Sequence, residues 1–322
     1  MAALHSSAAV SAAPVGRSLL PSSLGYPSLR SSLRADRAFC NTLARQAVRS
    51  LYYELTLYPK PGLVSLVDNG SHTDMDASTF MRSLFALRHY FRAIAWAGMR
   101  RTSFAELKAL AIDAETRMLK ATGGINTHRG AIFCMGMLCA AMAACRAQQI
   151  ALSIPAVRAV LLILWGDALT AHAAINVAEV ARTDVSHGLQ VAADHAVGGA
   201  REEGALGFPA VFEIALPQLQ ESLAAGRDVQ SARVDTLFAL MAHISDTNIY
   251  HRGGAGGAAL VRQSSRAFLQ AGGTGAVDWQ DRAEHIHHQF VQERLSPGGA
   301  ADLLAAACLV NAVCTVSAAH PE

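Results

Sequence analysis

This sequence of 322 residues has little charge, few aromatic side chains and almost no lysine. Charged residues make up 16% of it and aromatic residues 6%, whereas hydrophobic residues make up 52%. So low a charge content excludes an intrinsically disordered chain. A formal net charge of +2, with few rings for base stacking, argues against nucleic-acid binding. Since Lys60, Lys108 and Lys120 are its only lysines, a lysine within a motif is a candidate functional residue.

The sequence also lacks paired cysteines and a clear membrane span. Its six cysteines form no C-x-x-C pair, and most lie in apolar stretches, which predicts neither a zinc site nor a disulfide framework and fits a reducing cytoplasm. Two long uncharged stretches cover residues 130–145 and 303–321. The first is shorter than the roughly 20 residues that a span needs, and polar residues interrupt the second. We expect both to be buried helices and the protein to be cytoplasmic.

Residues 1–35 differ in composition from the rest of the chain. They contain no Asp or Glu and are rich in Ser and Ala, which resembles a transit peptide, but they lack the continuous apolar segment of a secretory signal. We expect a disordered extension or a start codon assigned too far upstream. The predicted structured domain covers residues 36–322.

From Asp36 onward the pattern is helical, because strict apolar/polar alternation is almost absent. A first helix is predicted over residues 36–58, where Pro59 ends it, and a second begins near residue 76 or 78. A third begins at Ser103-x-x-Glu106, a capping box. Further helices are predicted over 130–149, 155–180, 189–200, 231–250, 255–271, 277–295 and 302–319. No Gly/Ser linker divides them, so the prediction is one all-α multi-helix domain with functional loops between its helices.

The first of three polar clusters combines a lysine with carboxylates. Lys60 lies between two prolines, which restrict the backbone on both sides of it. His72, Asp74 and Asp76 follow at two-residue spacing, just before a helix. Carboxylates so close repel one another unless a cation lies between them, and Mg²⁺ commonly uses one or two carboxylates plus substrate phosphates. The alternative is that Asp76 caps the helix and its neighbours are solvated.

The second cluster covers residues 122–130 and leads directly into an apolar helix. A Gly-Gly turn before a helix offers free backbone N–H groups and the positive end of the helix dipole to an anion. The predicted anion-binding residues are Gly123, Gly124, Asn126 and Arg129, with His128 beside them. The run is neither a P-loop nor a G-x-G-x-x-G motif, and no strand precedes it, so Walker and Rossmann sites are excluded. An ordinary loop with a helix cap is the alternative.

The third cluster, residues 246–254, is predicted to end a helix and places Asp, Asn, His and Arg before two glycines. Its Asn-Ile-Tyr-His-Arg-Gly run looks like the Asn-Thr-His-Arg-Gly run of the second cluster. Asp246 is a candidate metal ligand, whereas Asn248, Arg252 and Gly253 are candidate anion-binding residues. No module for a serine or cysteine nucleophile is evident. From the residues alone, we infer an all-α protein that handles a nucleotide or polyphosphate with Mg²⁺.

Six segments extend this inference by resemblance. They are residues 58–64, 70–76, 122–130, 201–203 with 207–209, 246–248 with 252–254, and 296–299 with 301–304. In this order they resemble the triphosphoribosyl-dephospho-CoA synthase family, over roughly residues 36–319. The resemblance implies a transferase that makes 2′-(5″-triphosphoribosyl)-3′-dephospho-CoA from ATP and 3′-dephospho-CoA and releases adenine. It also implies that a phosphoribosyl-dephospho-CoA transferase passes the product to the acyl carrier protein of malonate decarboxylase or citrate lyase, and the sequence leaves that choice open.

The implied chemistry assigns hypothetical roles to the three clusters. The predicted Mg²⁺ ligands are Asp74 and Asp76, with Asp246 as a third candidate. The predicted triphosphate ligands include Lys60, Arg129 and Arg252. The 2′-hydroxyl of dephospho-CoA would attack C1 of the ATP ribose opposite adenine, with one acid and one base on opposite faces. His128 or Glu202 would be the acid, and His72 or a spare carboxylate the base.

Two rival functions make different predictions. A Mg²⁺-dependent all-α glycohydrolase of nucleosides or ADP-ribose would release adenine or ribose without dephospho-CoA. A non-catalytic helical scaffold would bind no ATP and would tolerate charge loss at Asp74, Asp246 and Arg129.

Overall fold

The structure is a computed structural model, which describes residues 29–174 and 199–319. All regular elements in these two ranges are helical, which confirms the predicted all-α fold. The α-helices are α1 (Leu29–Leu55), α2 (Ala77–Met99), α3 (Phe104–Thr122), α4 (Arg129–Ala147), α5 (Ile154–Ala173), α6 (Ala200–Ala205), α7 (Leu216–Ala224), α8 (Val229–His243), α9 (Thr247–Gln270), α10 (Trp279–Gln292) and α11 (Gly298–Ala319). A π-helical segment, Ala210–Ala215, runs directly into α7.

Helix α4 forms the centre of the fold, because small and apolar side chains let it be buried along most of its length. It packs against α1, α2, α3, α5 and α11. Its closest approach is to α2, where a Cβ at Gly98 would overlap the carbonyl oxygen of Ala140. Tyr90 of α2 donates a 2.7 Å hydrogen bond to the carbonyl oxygen of Ile132, which further joins the two helices.

Three described helices are long and apolar enough to cross a membrane by length and composition: Arg129–Ala147, Ile154–Ala173 and Gly298–Thr315. The first and third are 78% and 67% buried inside the protein, in line with the buried helices expected there. The second, α5, was not singled out in the sequence and is 28% buried.

Several helix boundaries differ from the predicted ones. Helix α1 begins at Leu29, earlier than the predicted Asp36. The prediction that residues 246–254 end a helix is wrong, because α8 ends at His243 and Asp246 is the N-cap of α9. Part of the helix predicted over 155–180 and nearly all of that over 189–200 lie outside the described residues.

Candidate functional site

A cavity of about 2060 Å³ lies where the loop before α4 meets the N-termini of α6, α9 and α11 and the last turn of α5. Helices α2 and α3 complete its wall. Pockets for one small molecule usually occupy up to about 1,000 Å³, so this cavity has room for two large substrates.

The cavity brings together residues from all three sequence clusters. The sequence-predicted residues that line it are His72, Asn126, His128, Arg129, Glu202, Asp246, Asn248 and Arg252. The other six, which are not among its lining residues, are Lys60, Asp74, Asp76, Gly123, Gly124 and Gly253.

Lys60 is buried in the protein interior, with 1% of its surface exposed. Its Nζ donates a 2.8 Å hydrogen bond to the backbone oxygen of Glu54 and forms an ion pair with the carboxylate of the same residue. Burial lowers the pKa of Lys60, and the Glu54 carboxylate opposes that shift. Glu54 lines the cavity, so Lys60 holds this lining residue in place without lining the cavity itself.

Asp76 caps helix α2, as the alternative interpretation of the first cluster held. Its Oδ1 accepts hydrogen bonds from the backbone N and the Oγ1 of Thr79, at 2.8 and 2.7 Å. These bonds lower the pKa of Asp76 to about 2. Asp74 is exposed, with an oxygen 3.6 Å from Nδ1 of His72. Within residues 29–174 and 199–319, no three His, Cys, Asp or Glu side chains form a group suited to a metal, so Asp74, Asp76 and Asp246 are not brought together.

The two glycines before α4 have a conformational role. Gly123 follows the last residue of α3 with φ 71°, and Gly124 has φ 92°, a left-handed region that other residues rarely adopt. The Gly-Gly turn therefore ends α3, and its N–H groups bond back to the carbonyl oxygen of Leu119.

His128 is the most deeply buried of the predicted catalytic residues, with 2% of its surface exposed. Its Nδ1 lies 2.6 Å from Oγ of Ser83, and Oγ1 of Thr127 donates a 2.8 Å hydrogen bond to that same Ser83 oxygen. Its Nε2 is buried and has no hydrogen-bond partner among the described residues. Burial, with a smaller effect from Lys60, lowers the pKa of His128 to about 3. The imidazole is therefore neutral near pH 7.

Asp246 joins the N-termini of two helices. Its Oδ1 accepts from the backbone N of Asn248 in α9 at 2.9 Å, whereas its Oδ2 accepts from Gly299 and Ala300 of α11 at 2.8 and 3.2 Å. Burial raises the pKa of Asp246, and these N–H groups partly offset the rise. A negative charge at two helix N-termini is favourable, so Asp246 fixes the geometry of this wall.

Asp302 is a second cavity carboxyl that the residue pattern did not single out. It lies so close to the start of α4 that a Cβ at Gly130 would overlap its Oδ2. Burial raises the pKa of Asp302 well above its usual range, and the nearby carboxylates of Glu54 and Asp246 add to the rise. The sequence carries one signal for Asp302, its place in the last family-like segment.

Arg252 links His72 to the far end of the chain. Its Nη2 lies 3.2 Å from Nδ1 of His72, and its Nη1 donates to the carbonyl oxygens of Ser71 and Arg294 at 3.2 and 3.3 Å. Since a guanidinium only donates, Nδ1 of His72 accepts and its Nε2 donates to Oγ of Ser296, 2.8 Å away. Burial and Arg252 lower the pKa of His72.

A second cationic group of the cavity was missed by the sequence reasoning. Lys108 and Arg201 both line the cavity near His172. Arg201 donates a 3.4 Å hydrogen bond to the backbone oxygen of His172. Burial, followed by the charges of Arg201 and Lys108, lowers the pKa of His172 to about 4. The sequence carried a signal for each residue: the rarity of lysine for Lys108, and the family-like Arg-Glu-Glu segment for Arg201.

Carboxylates outnumber basic side chains in the described lining. The carboxylates are Glu54, Glu115, Glu202, Glu203, Glu213, Asp246 and Asp302, and the Lys and Arg residues are Lys108, Arg129, Arg201 and Arg252. Ion pairs with Lys60, Arg129 and Arg158 neutralise Glu54, Glu115 and Glu213, and burial keeps Asp302 protonated to higher pH, so the remaining charges of the lining roughly balance. A highly charged phosphate substrate would need additional cations here.

In the part of the chain that the structure describes, these features define a class of protein, an all-helical protein with a large cavity lined by both acidic and basic side chains. Residues 40–319 match the family described as ATP:dephospho-CoA triphosphoribosyl transferase (CitG). The chain belongs to this family, as the resemblance predicted, and it is a transferase of the triphosphoribosyl-dephospho-CoA synthase type.

Curated relatives agree with this assignment. Three proteins named "Probable 2-(5″-triphosphoribosyl)-3′-dephosphocoenzyme-A synthase" come from Acinetobacter calcoaceticus, Pseudomonas fluorescens Pf-5 and Pseudomonas putida. They are 38%, 39% and 41% identical over 81%, 84% and 83% of this chain and 86%, 91% and 92% of their own lengths. No solved structure gives a significant match.

Proposed function

We propose that the cavity binds ATP and 3′-dephospho-CoA together and is where the triphosphoribosyl group is transferred. The observation that carries this proposal is the size of the cavity, roughly twice the upper range of about 1,000 Å³ for one small molecule. Its two cationic groups support it. Arg252 beside His72 and the Lys108–Arg201 pair beside His172 offer separate positions for phosphate groups of the two substrates.

The transfer breaks one bond and forms another at the same carbon. The bond from adenine N9 to ribose C1 breaks, and C1 forms a bond with the 2′-oxygen of dephospho-CoA. The hydroxyl proton passes to a base, and adenine takes up a proton as it leaves. Fixed charges in the cavity wall suit the oxocarbenium-like state between these bonds, because they are already in place when its charge develops.

The residues divide into groups that transfer protons and groups that hold the substrates. His128, neutral near pH 7, would hold adenine by a hydrogen bond, and a carboxyl group would supply the proton. Glu202 is, besides His128, the other sequence-predicted acid, and Asp302 is a further candidate because its raised pKa keeps it protonated to higher pH. A spare carboxylate would accept the hydroxyl proton, or Nδ1 of His72 would do so once Arg252 turns from it to a substrate phosphate.

Mg²⁺ is part of the proposal because of the cavity's charge. The described lining fits the ion in part, since Asp246 faces the cavity, whereas Asp74 and Asp76 lie outside its lining. Triphosphate oxygens and water would complete the ligands around Asp246. When bound, the ion would neutralise the charge of the triphosphate while the arginines orient it.

The product's destination is also proposed. The resemblance to the family supports transfer of the product, by a phosphoribosyl-dephospho-CoA transferase, to the acyl carrier protein of malonate decarboxylase or citrate lyase. All six cysteines are free and buried thiols, which fits a reducing cytoplasm.

The test is adenine release, measured by liquid chromatography from purified protein with ATP and Mg²⁺, with and without 3′-dephospho-CoA. We expect adenine only when dephospho-CoA is present, together with a heavier CoA product. Arg252→Met should lower kcat/KM by about 10- to 100-fold, the value of a charge-assisted hydrogen bond. Arg282→Met is the matched control, because Arg282 pairs with Asp278 on α10, outside the cavity lining.

Other results would replace the proposal. Equal adenine release without dephospho-CoA would identify a glycohydrolase. No adenine in either reaction, with no rise in the melting temperature on adding ATP, would favour a scaffold. If Arg252→Met were as active as Arg282→Met, the cavity would not be the place where the triphosphoribosyl group is transferred.

A further inference from the structure

We propose that Ser83 and Thr127 fix His128 as the Nε2–H tautomer, and that this N–H donates a hydrogen bond to a ring nitrogen of the adenine of ATP. The inference rests on the proposed function and deepens it. His128 would then be a catalytic residue that acts by hydrogen bonding, and Ser83 a positioning residue.

The first step of the argument is the direction of the hydrogen bonds. Thr127 donates to the oxygen of Ser83, so the Ser83 hydroxyl keeps its own hydrogen available. Ser83 is completely buried in α2 and has no water to donate to. Its remaining recorded partner among the described residues is Nδ1 of His128, at 2.6 Å. Nδ1 therefore accepts, and in a neutral imidazole the hydrogen must then lie on Nε2.

The second step concerns the unused donor. Nε2 is buried without a partner in the part of the chain that the structure describes, although His128 lines the cavity. Leaving a buried donor unpaired costs about 1–3 kcal/mol, and such groups are rare in folded proteins. A donor fixed in place at the wall of a substrate cavity is explained if the substrate supplies the acceptor.

The third step identifies the acceptor. The centroid of the Phe80 ring lies 5.0 Å from that of the His128 imidazole, in an edge-to-face arrangement. The backbone N–H of His128 donates a 3.3 Å hydrogen bond to Sδ of Met118. These neighbours suit a flat purine better than a hydrated triphosphate. Ring nitrogens of adenine accept hydrogen bonds in the ring plane, and electron density builds up on the ring as the bond to C1 breaks. A hydrogen bond from a fixed donor to this ring is therefore stronger in the transition state than in the complex with bound substrate.

Two replacements of His128 separate hydrogen bonding from proton transfer. His128→Gln keeps an N–H donor without an imidazole, whereas His128→Leu removes the donor. We expect kcat to fall by about 10-fold in the Gln variant and by about 100- to 1,000-fold in the Leu variant, with the same pH profile in both. Equal losses, with the alkaline limb of the pH profile missing from both, would show instead that the imidazolium delivers a proton.

The positioning role of Ser83 has a readout besides activity. In protein with ¹⁵N-labelled histidine, we expect the nitrogen shifts of His128, assigned with the Gln variant, to report the Nε2–H tautomer between about pH 5 and 9. Ser83→Ala should add the Nδ1–H tautomer and lower kcat by about 10-fold with little change in the KM for ATP. Ser265→Ala is the control, because Ser265 is equally buried but lies on α9, outside the cavity lining.

The outcomes distinguish this inference from the function on which it rests. A wild-type Nδ1–H tautomer, or a tautomer unchanged by Ser83→Ala, would overturn the inference while dephospho-CoA-dependent adenine release still supported the transferase. Loss of that release in the wild-type protein would overturn the proposed function, whatever the tautomer of His128.

Discussion

The buried imidazole of His128 couples the stability of the protein to pH. In the unfolded chain a histidine has a pKa of 6.5, but in the folded protein that of His128 is about 3. As pH falls below 6.5 the unfolded state binds the proton first, so stability is lost until the pH reaches about 3. The loss is on the order of 2–3 kcal/mol between pH 7 and about pH 4.5.

Urea unfolding at both pH values checks this prediction. His128→Leu should remove that part of the acid destabilisation, whereas a matched replacement of an exposed histidine, His285→Leu, should retain it. If the stability of His128→Leu falls as steeply with pH as that of the wild type, His128 is not the group that titrates.

At the scale of single residues, the sequence indicated which side chains belong near the site better than it indicated what each of them contacts. It singled out His128 as a catalytic and Arg252 as an anion-binding candidate, and both line the cavity. It could not place Lys60, whose partner Glu54 lies in an ordinary amphipathic helix. Nor could it find the closeness of Asp302 to Gly130, since that depends on how α11 packs against α4.

At the scale of elements, the close contact between α2 and α4 depends on one glycine. Gly98→Ala would place a Cβ on the carbonyl oxygen of Ala140, a backbone atom that cannot move aside alone. We expect the free energy of unfolding to fall by about 1–3 kcal/mol, despite the better helix propensity of alanine.

The control for this prediction is Gly166→Ala in α5. A Cβ at Gly166 would make only ordinary contacts with the Leu162 side chain, at 3.8 Å. This variant should gain up to about 1 kcal/mol, because alanine favours a helix interior. Chemical denaturation of both variants measures these changes in the free energy of unfolding. If Gly98→Ala were as stable as Gly166→Ala, α2 and α4 could move apart at little cost.

Asp246 supports two helices, which predicts a larger effect than an ordinary cap. Asp246→Ala removes the acceptor of N–H groups in both α9 and α11, so we expect a loss of about 2–4 kcal/mol, roughly twice that of one cap. Asp228→Ala, at the N-cap of α8 alone, is the matched comparison, with a loss of about 0.5–2 kcal/mol. Equal losses in thermal unfolding would show that the bonds to α11 contribute little.

Helix-level prediction succeeded wherever apolar periodicity was long and a cap was local. The capping box of α3 is an example, because Ser103 accepts from the backbone N of Glu106. It failed at Asp246, where one continuous helix was predicted over 231–250. There the break depends on Oδ2 of Asp246 reaching Gly299, far away in the sequence, and local patterns carry no signal of such a contact.

At the scale of the whole molecule, the lack of excess basic side chains in the described cavity lining predicts how ATP binds. Free ATP brings several negative charges that the lining does not balance, whereas MgATP brings its own cation. We expect millimolar ATP with excess Mg²⁺ to raise the melting temperature by several degrees, and ATP with a chelator to raise it by much less. Equal shifts under both conditions would argue that the protein's own basic side chains are sufficient.

The central position of α4 has a consequence for the thiols. Cys134, Cys139 and Cys145 lie on this helix, Cys308 and Cys314 on α11 and Cys40 on α1, and all six are buried. Cys134 lines the cavity, whereas the other five do not, so a thiol reagent reaches those five only when these inner helices separate. The rate at which these five thiols are labelled therefore measures how often the core opens. It does not report the motions of the catalytic loops.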